Sequence, residues 1–354
     1  MEFFAPLFAS FAISLAVAPL VIKYAPKLGI MDDPTLRLHP ARYHKKPTPR
    51  GGGIPIFFAL LITTLIFLPL NQALAGILVG SLAILIIGVL DDRHDVSPSL
   101  RLVVNTFAAI VLIIAGVSIS FFTNPFGGII DVSNTKISLE IGGGTLVIPI
   151  LSWIATIFWI VFMTNIVSWS SGVDGQLSGF VPIAAITIGA LSLRFAQDIT
   201  QWSVIVLSMI IAGSYLGFLG FATYPQRIMP GYSGGALAGF LLGTLSILSG
   251  AKLATAIIVL GVPVMDAVFV IVRRIISGRS PLQPDAGHLH HRLLELGWGK
   301  PAIAAFYWLV AAVLGLLVLH LNSQAKFYTI VMIAALVGGM LVWLTFGKLL
   351  KRQG

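Results

Sequence analysis

Two adjacent carboxylates, Asp91 and Asp92, stand where an almost uncharged apolar run from about Ala73 to Leu90 stops. Asp95 follows three residues later. An ionisable residue at a membrane boundary is costly to keep, which marks it as a candidate functional group. Carboxylates paired beside basic residues suit a site that handles Mg2+ and phosphates. The plainer alternative is a helix that ends at the interface in solvated charges. Upstream lies His44-Lys45-Lys46-Pro47-Thr48-Pro49-Arg50-Gly51-Gly52-Gly53, a turn fixed by its prolines and glycines. Arg50 there can grip a phosphate through two N–H groups, although a charge run that only sets topology reads equally well. Downstream, Asp285-Ala286-Gly287-His288-Leu289-His290-His291-Arg292 puts three of the seven histidines within four positions. Imidazole can bind metal, donate to phosphate or move protons. A zinc site needs a further ligand at fixed spacing, and none stands out. Anion or diphosphate binding is therefore the better functional reading, against a chance interfacial cluster.

The elements that must position these groups are membrane helices. Of 354 residues, 57% are hydrophobic and 10% charged, with a mean hydropathy of +0.97. A soluble domain carries roughly 25% charged residues. The chain has no cysteine, so disulfide frameworks and thiolate metal sites are excluded. The first apolar run has Glu2 where a signal peptide has basic residues, and reads as a retained helix. Windows of about 20 apolar residues fall near 3–22, 53–70, 73–90, 102–118, 149–168, 180–195, 203–222, 234–249, 254–272, 302–321 and 328–347. The expected fold class is an all-α integral membrane protein of about eleven transmembrane helices. It forms a single polytopic membrane domain over 1–354, with a cytoplasmic loop-built active-site cleft.

Loop charge sets the orientation. Of the 22 Lys and Arg, only Lys136, Arg194, Lys252 and Lys326 fall outside the loops that carry the motifs. The positive-inside rule puts those loops in the cytoplasm, the N-terminus outside and the C-terminus inside. It also accounts for the net charge of +9 without nucleic acid. Between 119 and 148, Val117-Ser118-Ile119-Ser120-Phe121-Phe122 and Ser138-Leu139-Glu140-Ile141 alternate among glycine turns. A small extracytoplasmic β-hairpin is expected there.

In their order and topology, Gly51-Gly52-Gly53, Asp91-Asp92, and His288-Leu289-His290-His291 after Ser280-Pro281-Leu282-Gln283-Pro284-Asp285 carry a resemblance over essentially the whole chain. It resembles the polyprenyl-phosphate N-acetylhexosamine-1-phosphate transferases, of the glycosyltransferase family 4 type. The histidine pattern is similar to the bacterial undecaprenyl-phosphate GlcNAc-1-phosphate branch. Asn165 with Gly172-Val173-Asp174-Gly175, Pro225-Gln226-Arg227-Ile228 with Gly231, Ser233 and Gly234, and Pro263-Val264-Met265-Asp266 with Arg273-Arg274 match further loops. Two positions depart. Where the family has aspartates, this chain has Ser171 and Tyr232, and Ser168 replaces an asparagine. A neutral hydroxyl and a phenol do not replace ionised carboxylates around a hard cation.

The resemblance implies transfer of a sugar 1-phosphate from a UDP-sugar such as UDP-GlcNAc to a polyprenyl phosphate, releasing UMP. Asp91, Asp92 and Asp174 would be the catalytic carboxylates, with Asp174 the remaining ligand of Mg2+ or Mn2+, bound with the substrate. Arg50, Asn165, Arg227, His288, His290, His291 and Arg292 would hold substrate. The implied partners are the lipid acceptor, the UDP-sugar and the bilayer, in a bacterial cytoplasmic membrane, and a homodimer stays open. Loss of two carboxylates equally fits a pseudoenzyme that binds polyprenyl phosphate or partners an active transferase. A secondary transporter would put its ionisable groups near the midplane, whereas these gather at one face.

Overall fold

The structure, a computed structural model, describes residues 3–34, 46–141, 144–193, 199–250, 252–280 and 287–351. Parts of two motif loops, 35–45 and 281–286, lie outside the described residues, as does Arg194. Thirteen helices occur among them. They are α1 (Phe4–Leu28), α2 (Gly53–Phe67), α3 (Gln72–His94), α4 (Pro98–Ile114), α5 (Ile150–Trp169), α6 (Gln176–Ser192) and α7 (Ile199–Ala222). The rest are α8 (Gly231–Leu248), α9 (Leu253–Val259), α10 (Gly261–Ile276), α11 (Leu289–Glu295), α12 (Lys300–Val318) and α13 (Ser323–Lys351).

Seven of these helices are long and apolar enough to cross a membrane, or eight if α9 and α10 count as one bent span. The chain is a predominantly helical, multi-pass integral membrane protein. Three further apolar helices, α2, α4 and α6, have 15 to 17 residues. At 1.5 Å per residue they reach about 22–26 Å, short of the ~30 Å hydrocarbon core. Outward side chains such as Phe8, Ile66, Phe158, Leu316 and Trp343 are exposed and apolar, as a surface solvated by lipid must be.

At the centre stands α8, buried from Tyr232 to Ile247 and packed on α3 and α5. Its small residues permit that approach: a Cβ at Gly239 would lie 2.2 Å from the Met163 carbonyl oxygen. Without a hydrophobic force between helices in lipid, such close backbone packing is a principal source of association. Around this core α1 packs on α7, α7 on α6, and α6 on α12.

Two expectations are corrected. The stretch near 254–272 is not one helix, because α9 and α10 meet at 88°. Pro263 lacks the N–H that would bond the Val259 carbonyl, and its ring would clash there, so the helix breaks at Leu260. The alternating runs before and after residue 130 do not pair with each other. Instead β3 (Phe121–Thr123) pairs antiparallel with β4 (Ile129–Asp131), and β5 (Lys136–Ile141) with β6 (Gly144–Pro149). Each ribbon pairs strands close in sequence, at lower loop entropy than a pairing across the intervening chain. A third small ribbon, β1 (Met31–Asp32) with β2 (Thr48–Pro49), brackets the first motif loop.

Candidate active site

Asp92 sits on the last turn of α3, fully buried. Its carboxylate accepts from the Tyr232 amide at 2.8 Å, the Ser233 amide at 3.4 Å and the Ser233 hydroxyl at 2.6 Å. These are orphan N–H groups at the start of α8, where the helix dipole favours an anion. The Ser233 hydroxyl in turn accepts from the Gly53 amide at 3.1 Å, tying in the glycine loop. Gly231 has φ +65, and a Cβ there would lie 2.3 Å from Asp92 Oδ1. Only glycine fits both the left-handed backbone and the carboxylate against it. Arg50 Nε approaches Asp92 at 3.5 Å and its Nη1 meets Asp95 at 3.2 Å. Burial works against the charged Arg50, but Asp92, Asp32, Asp95 and Asp91 together carry its pKa above the ordinary value.

Asp91, one residue earlier, has different company. Its Oδ1 makes no hydrogen bond and faces Arg101 Nη1 at 3.3 Å. The Arg101 guanidinium also lies over the Tyr232 ring, 4.9 Å from its centre. The Tyr232 hydroxyl accepts from Asn105 Nδ2 at 3.0 Å. Arg101 and Asn105 are i and i+4 on α4, hence on one face. Beside this pair the surface is apolar, with Leu90, Leu102 and Val103 exposed. Asp91 therefore stands at the rim of a face that lipid covers.

Asp174 lies in the turn between α5 and α6. Its Oδ1 receives Lys300 Nζ at 2.9 Å and its Oδ2 the Gln226 amide at 3.2 Å. The following glycine, Gly175, directly precedes α6, and Trp308 Nε1 donates to the Gly175 and Gln176 carbonyls. Gly172 touches the histidine loop: a Cβ there would stand 2.0 Å from His290 Nε2. His288 Nδ1 lies 2.9 Å from Asp266 Oδ2, while Asp266 Oδ1 accepts the Leu289 amide at 2.8 Å. The imidazoles of His288, His290 and His291 are mutually in contact, His290 and His291 with centroids 4.1 Å apart. Burial first, then His291 and His288, hold His290 well below the usual imidazole pKa.

The sequence-expected loops are thus linked: 91–95 to 231–233, 174 to 226, and 172 to 290. Not every candidate joins them. Asn165 turns its amide to its own helix at the Val161 carbonyl, and Arg227 lies on the Phe221 ring. Arg292 is held from several sides. Its guanidinium is buried, donating to the Gly287 carbonyl, to Leu341 of α13 and to the Thr345 hydroxyl. A buried guanidinium must have acceptors, and Gly287 with α13 supplies several, so Arg292 also braces the histidine loop against α13. Sequence reading missed the roles of Arg101, Asn105, Asp266 and Lys300. The i, i+4 polar pair on apolar α4 was a usable signal for the first two. Nothing local signalled Lys300.

A dedicated divalent-ion cage does not fit this donor set. Among the described residues, no group of three or more His, Asp or Glu side chains could hold a metal. Both Asp174 oxygens are engaged, and the Ser171 hydroxyl donates to the Ser168 carbonyl in the last turn of α5.

Several bacterial proteins are similar to this chain in sequence. A Bacillus subtilis (strain 168) protein described as a probable undecaprenyl-phosphate N-acetylglucosaminyl 1-phosphate transferase is 28% identical, over 91% of this chain and 86% of its own. A decaprenyl-phosphate N-acetylglucosaminephosphotransferase of Mycolicibacterium smegmatis is 30% identical, over 72% and 67%. A Yersinia pestis undecaprenyl-phosphate alpha-N-acetylglucosaminyl 1-phosphate transferase is 26% identical, over 97% and 90%. The glycosyl transferase family 4 profile matches residues 74–250, which span α3, α5, α8 and hence both clamped aspartates. By that match, the chain is a member of glycosyl transferase family 4 and a phosphoglycosyltransferase.

Proposed function

We propose that the chain transfers a sugar 1-phosphate, GlcNAc-1-phosphate or similar, from a UDP-sugar to a polyprenyl phosphate in cell-envelope polysaccharide synthesis. The supporting observation is Asp91. It faces Arg101 across the α3–α4 seam, beside lipid-facing side chains, with the clamped start of α8 behind it. An isoprenoid lying along the seam brings its phosphate to Arg101, and Asp91 orients or deprotonates it. An acceptor oxygen then bonds to the sugar-bearing phosphorus. The bond from that phosphorus to the bridging oxygen breaks, and its electron pair leaves on UMP. Positioning and charge neutralisation carry most of such a reaction. Asp92 does not touch the reactants in this reading, because hydrogen bonds from α8 engage both of its oxygens. His288, oriented by Asp266, presents its remaining ring nitrogen to a substrate phosphate. Arg50 and the neighbouring histidines line the nucleotide side.

UMP release from UDP-GlcNAc with undecaprenyl phosphate, using purified protein in detergent, tests the assignment. Asp91→Asn should lower it by about 100-fold or more, the usual weight of a positioned acid or base. A second reading, a binding-only relative, is favoured by the engaged Asp174, Ser171 and Tyr232 side chains. UDP-sugar binding without any UMP release would select it.

In this reading the chain is one membrane domain in the bacterial cytoplasmic membrane. Eleven spans result if α2, α4 and α6 also cross and α9–α10 is one bent span. The motif loops then face the cytoplasm and the β5–β6 ribbon the outside. Reporter fusions within 124–136 and after Lys351 test this orientation, and a cytoplasmic signal from the first overturns it.

A further inference from the structure

We infer that Lys300 is a built-in cation that takes the place of a dedicated divalent ion at Asp174 and neutralises the diphosphate of the nucleotide sugar. The inference rests on the transferase reading for its substrate but on this structure for its charge. Lys300 is the first residue of α12, after Gly299. An ammonium is unfavourable at the positive end of a helix dipole, so helix stability does not explain it there. Its side chain is only 18% exposed, and that of Asp174 4%. Burying such a pair costs several kcal/mol per ion before their attraction offsets it, which suits a site retained for its charge. Trp308, two turns along α12, grips the Gly175 and Gln176 carbonyls and so fixes α12 against the Asp174 turn.

The donor count agrees. An ammonium has three N–H donors. Lys300 makes one hydrogen bond among the described residues, to Asp174, and lies 5.9 Å from the centre of the Tyr224 ring. Two donors remain for phosphate oxygens. The positions where the resemblance expects further carboxylates are turned away: Ser171 to the Ser168 carbonyl at the end of α5, Tyr232 to Asn105 beneath Arg101. The departures and the two cations, Lys300 and Arg101, therefore form one pattern. Neutral side chains stand at both expected carboxylate positions, and Lys300 and Arg101 pair with the aspartates that remain, Asp174 and Asp91. In the transfer step, as the phosphorus–oxygen bond to UMP breaks, Lys300 takes up the charge that develops on the departing oxygen.

The experiment titrates Mn2+ alone onto detergent-purified full-length protein by electron paramagnetic resonance, and measures UMP release with and without EDTA. Wild-type protein should hold little Mn2+ and keep releasing UMP in EDTA. Lys300→Met should bind Mn2+ at least ~10-fold more tightly, since removing a unit positive charge about 4 Å from a divalent ion is worth more than that even at the dielectric of water. Its UMP release should fall about 100-fold, as for loss of one charge-stabilising donor, with Lys300→Arg recovering part. Tight wild-type Mn2+ binding that Lys300→Met leaves unchanged overturns the inference, as does abolition of wild-type release by EDTA. If no condition gives UMP, the transferase reading fails. The Mn2+ comparison then still decides the role of Lys300, a rise supporting it and no rise refuting it.

Discussion

Asp92 accepts from two backbone amides and a hydroxyl at the start of α8, whereas Asp174 is held by the ammonium of Lys300 and one amide. Both are almost closed to solvent. The first arrangement uses groups that every helix start leaves unpaired, so the carboxylate fixes where α3, α8 and the glycine loop meet. The second depends on a charge brought from a helix that begins 126 residues later. One carboxylate ties helix ends together, and the other is balanced by a single charge, that of Lys300, inferred to bind substrate. Asp91 and Asp92 teach the same lesson at closer range. Adjacent on one helix, they face different neighbours, and only Asp91 borders the apolar seam.

The largest effect should come from breaking the clamp. Asp92→Ala leaves two amides and Arg50 without their buried acceptor, at a cost of about 3–5 kcal/mol. Loss of monodisperse protein on size exclusion and a lower melting midpoint would register it, while Asp91→Asn should melt like wild type. Equal destabilisation by both would erase the distinction between them. Gly231→Ala comes next, since it combines a left-handed backbone with a Cβ 2.3 Å from Asp92 Oδ1. Strain of about 1–3 kcal/mol should appear as a reduced melting midpoint, and an unchanged one would mean that Asp92 is free to move.

On the other side, Asp266→Asn should leave the fold nearly intact but disorient His288, because an amide cannot accept both the Leu289 N–H and the His288 N–H. UMP release should drop by about 100-fold, the scale of losing one charge-stabilising donor to the substrate phosphate, with little change in the melting midpoint. A large melting shift with normal release would make the pair structural. The smallest effect concerns pH. His290 is kept neutral in the fold, with a pKa well below its unfolded value near ~6.5. Its contribution to stability is complete above that value and is lost as pH falls below it, since the unfolded chain gains a proton that the fold refuses. The melting midpoint should fall between pH 7.5 and 5.5, and His290→Gln should flatten that slope. An identical slope would assign the pH dependence to other groups.

Much of this molecule is legible along the chain. Apolar runs long enough to cross a bilayer, the charge bias of the loops, Asp91-Asp92 at a helix end and the clustered histidines are local signals, because a membrane helix satisfies its own backbone and needs only length and composition. Even the break at Leu260 is written in Pro263. Pairing is not written there. That Asp92 clamps α8 while Asp91 meets Arg101, that Arg292 braces α13, and that Lys300 answers Asp174 depend on where separate helices come to rest. Helix rotation and approach are set by small residues and side-chain shape summed over many contacts, and a one-residue change of helix phase turns a side chain by about 100°. The types of group at the site follow from sequence alone. Which charges face one another was decided by the packing.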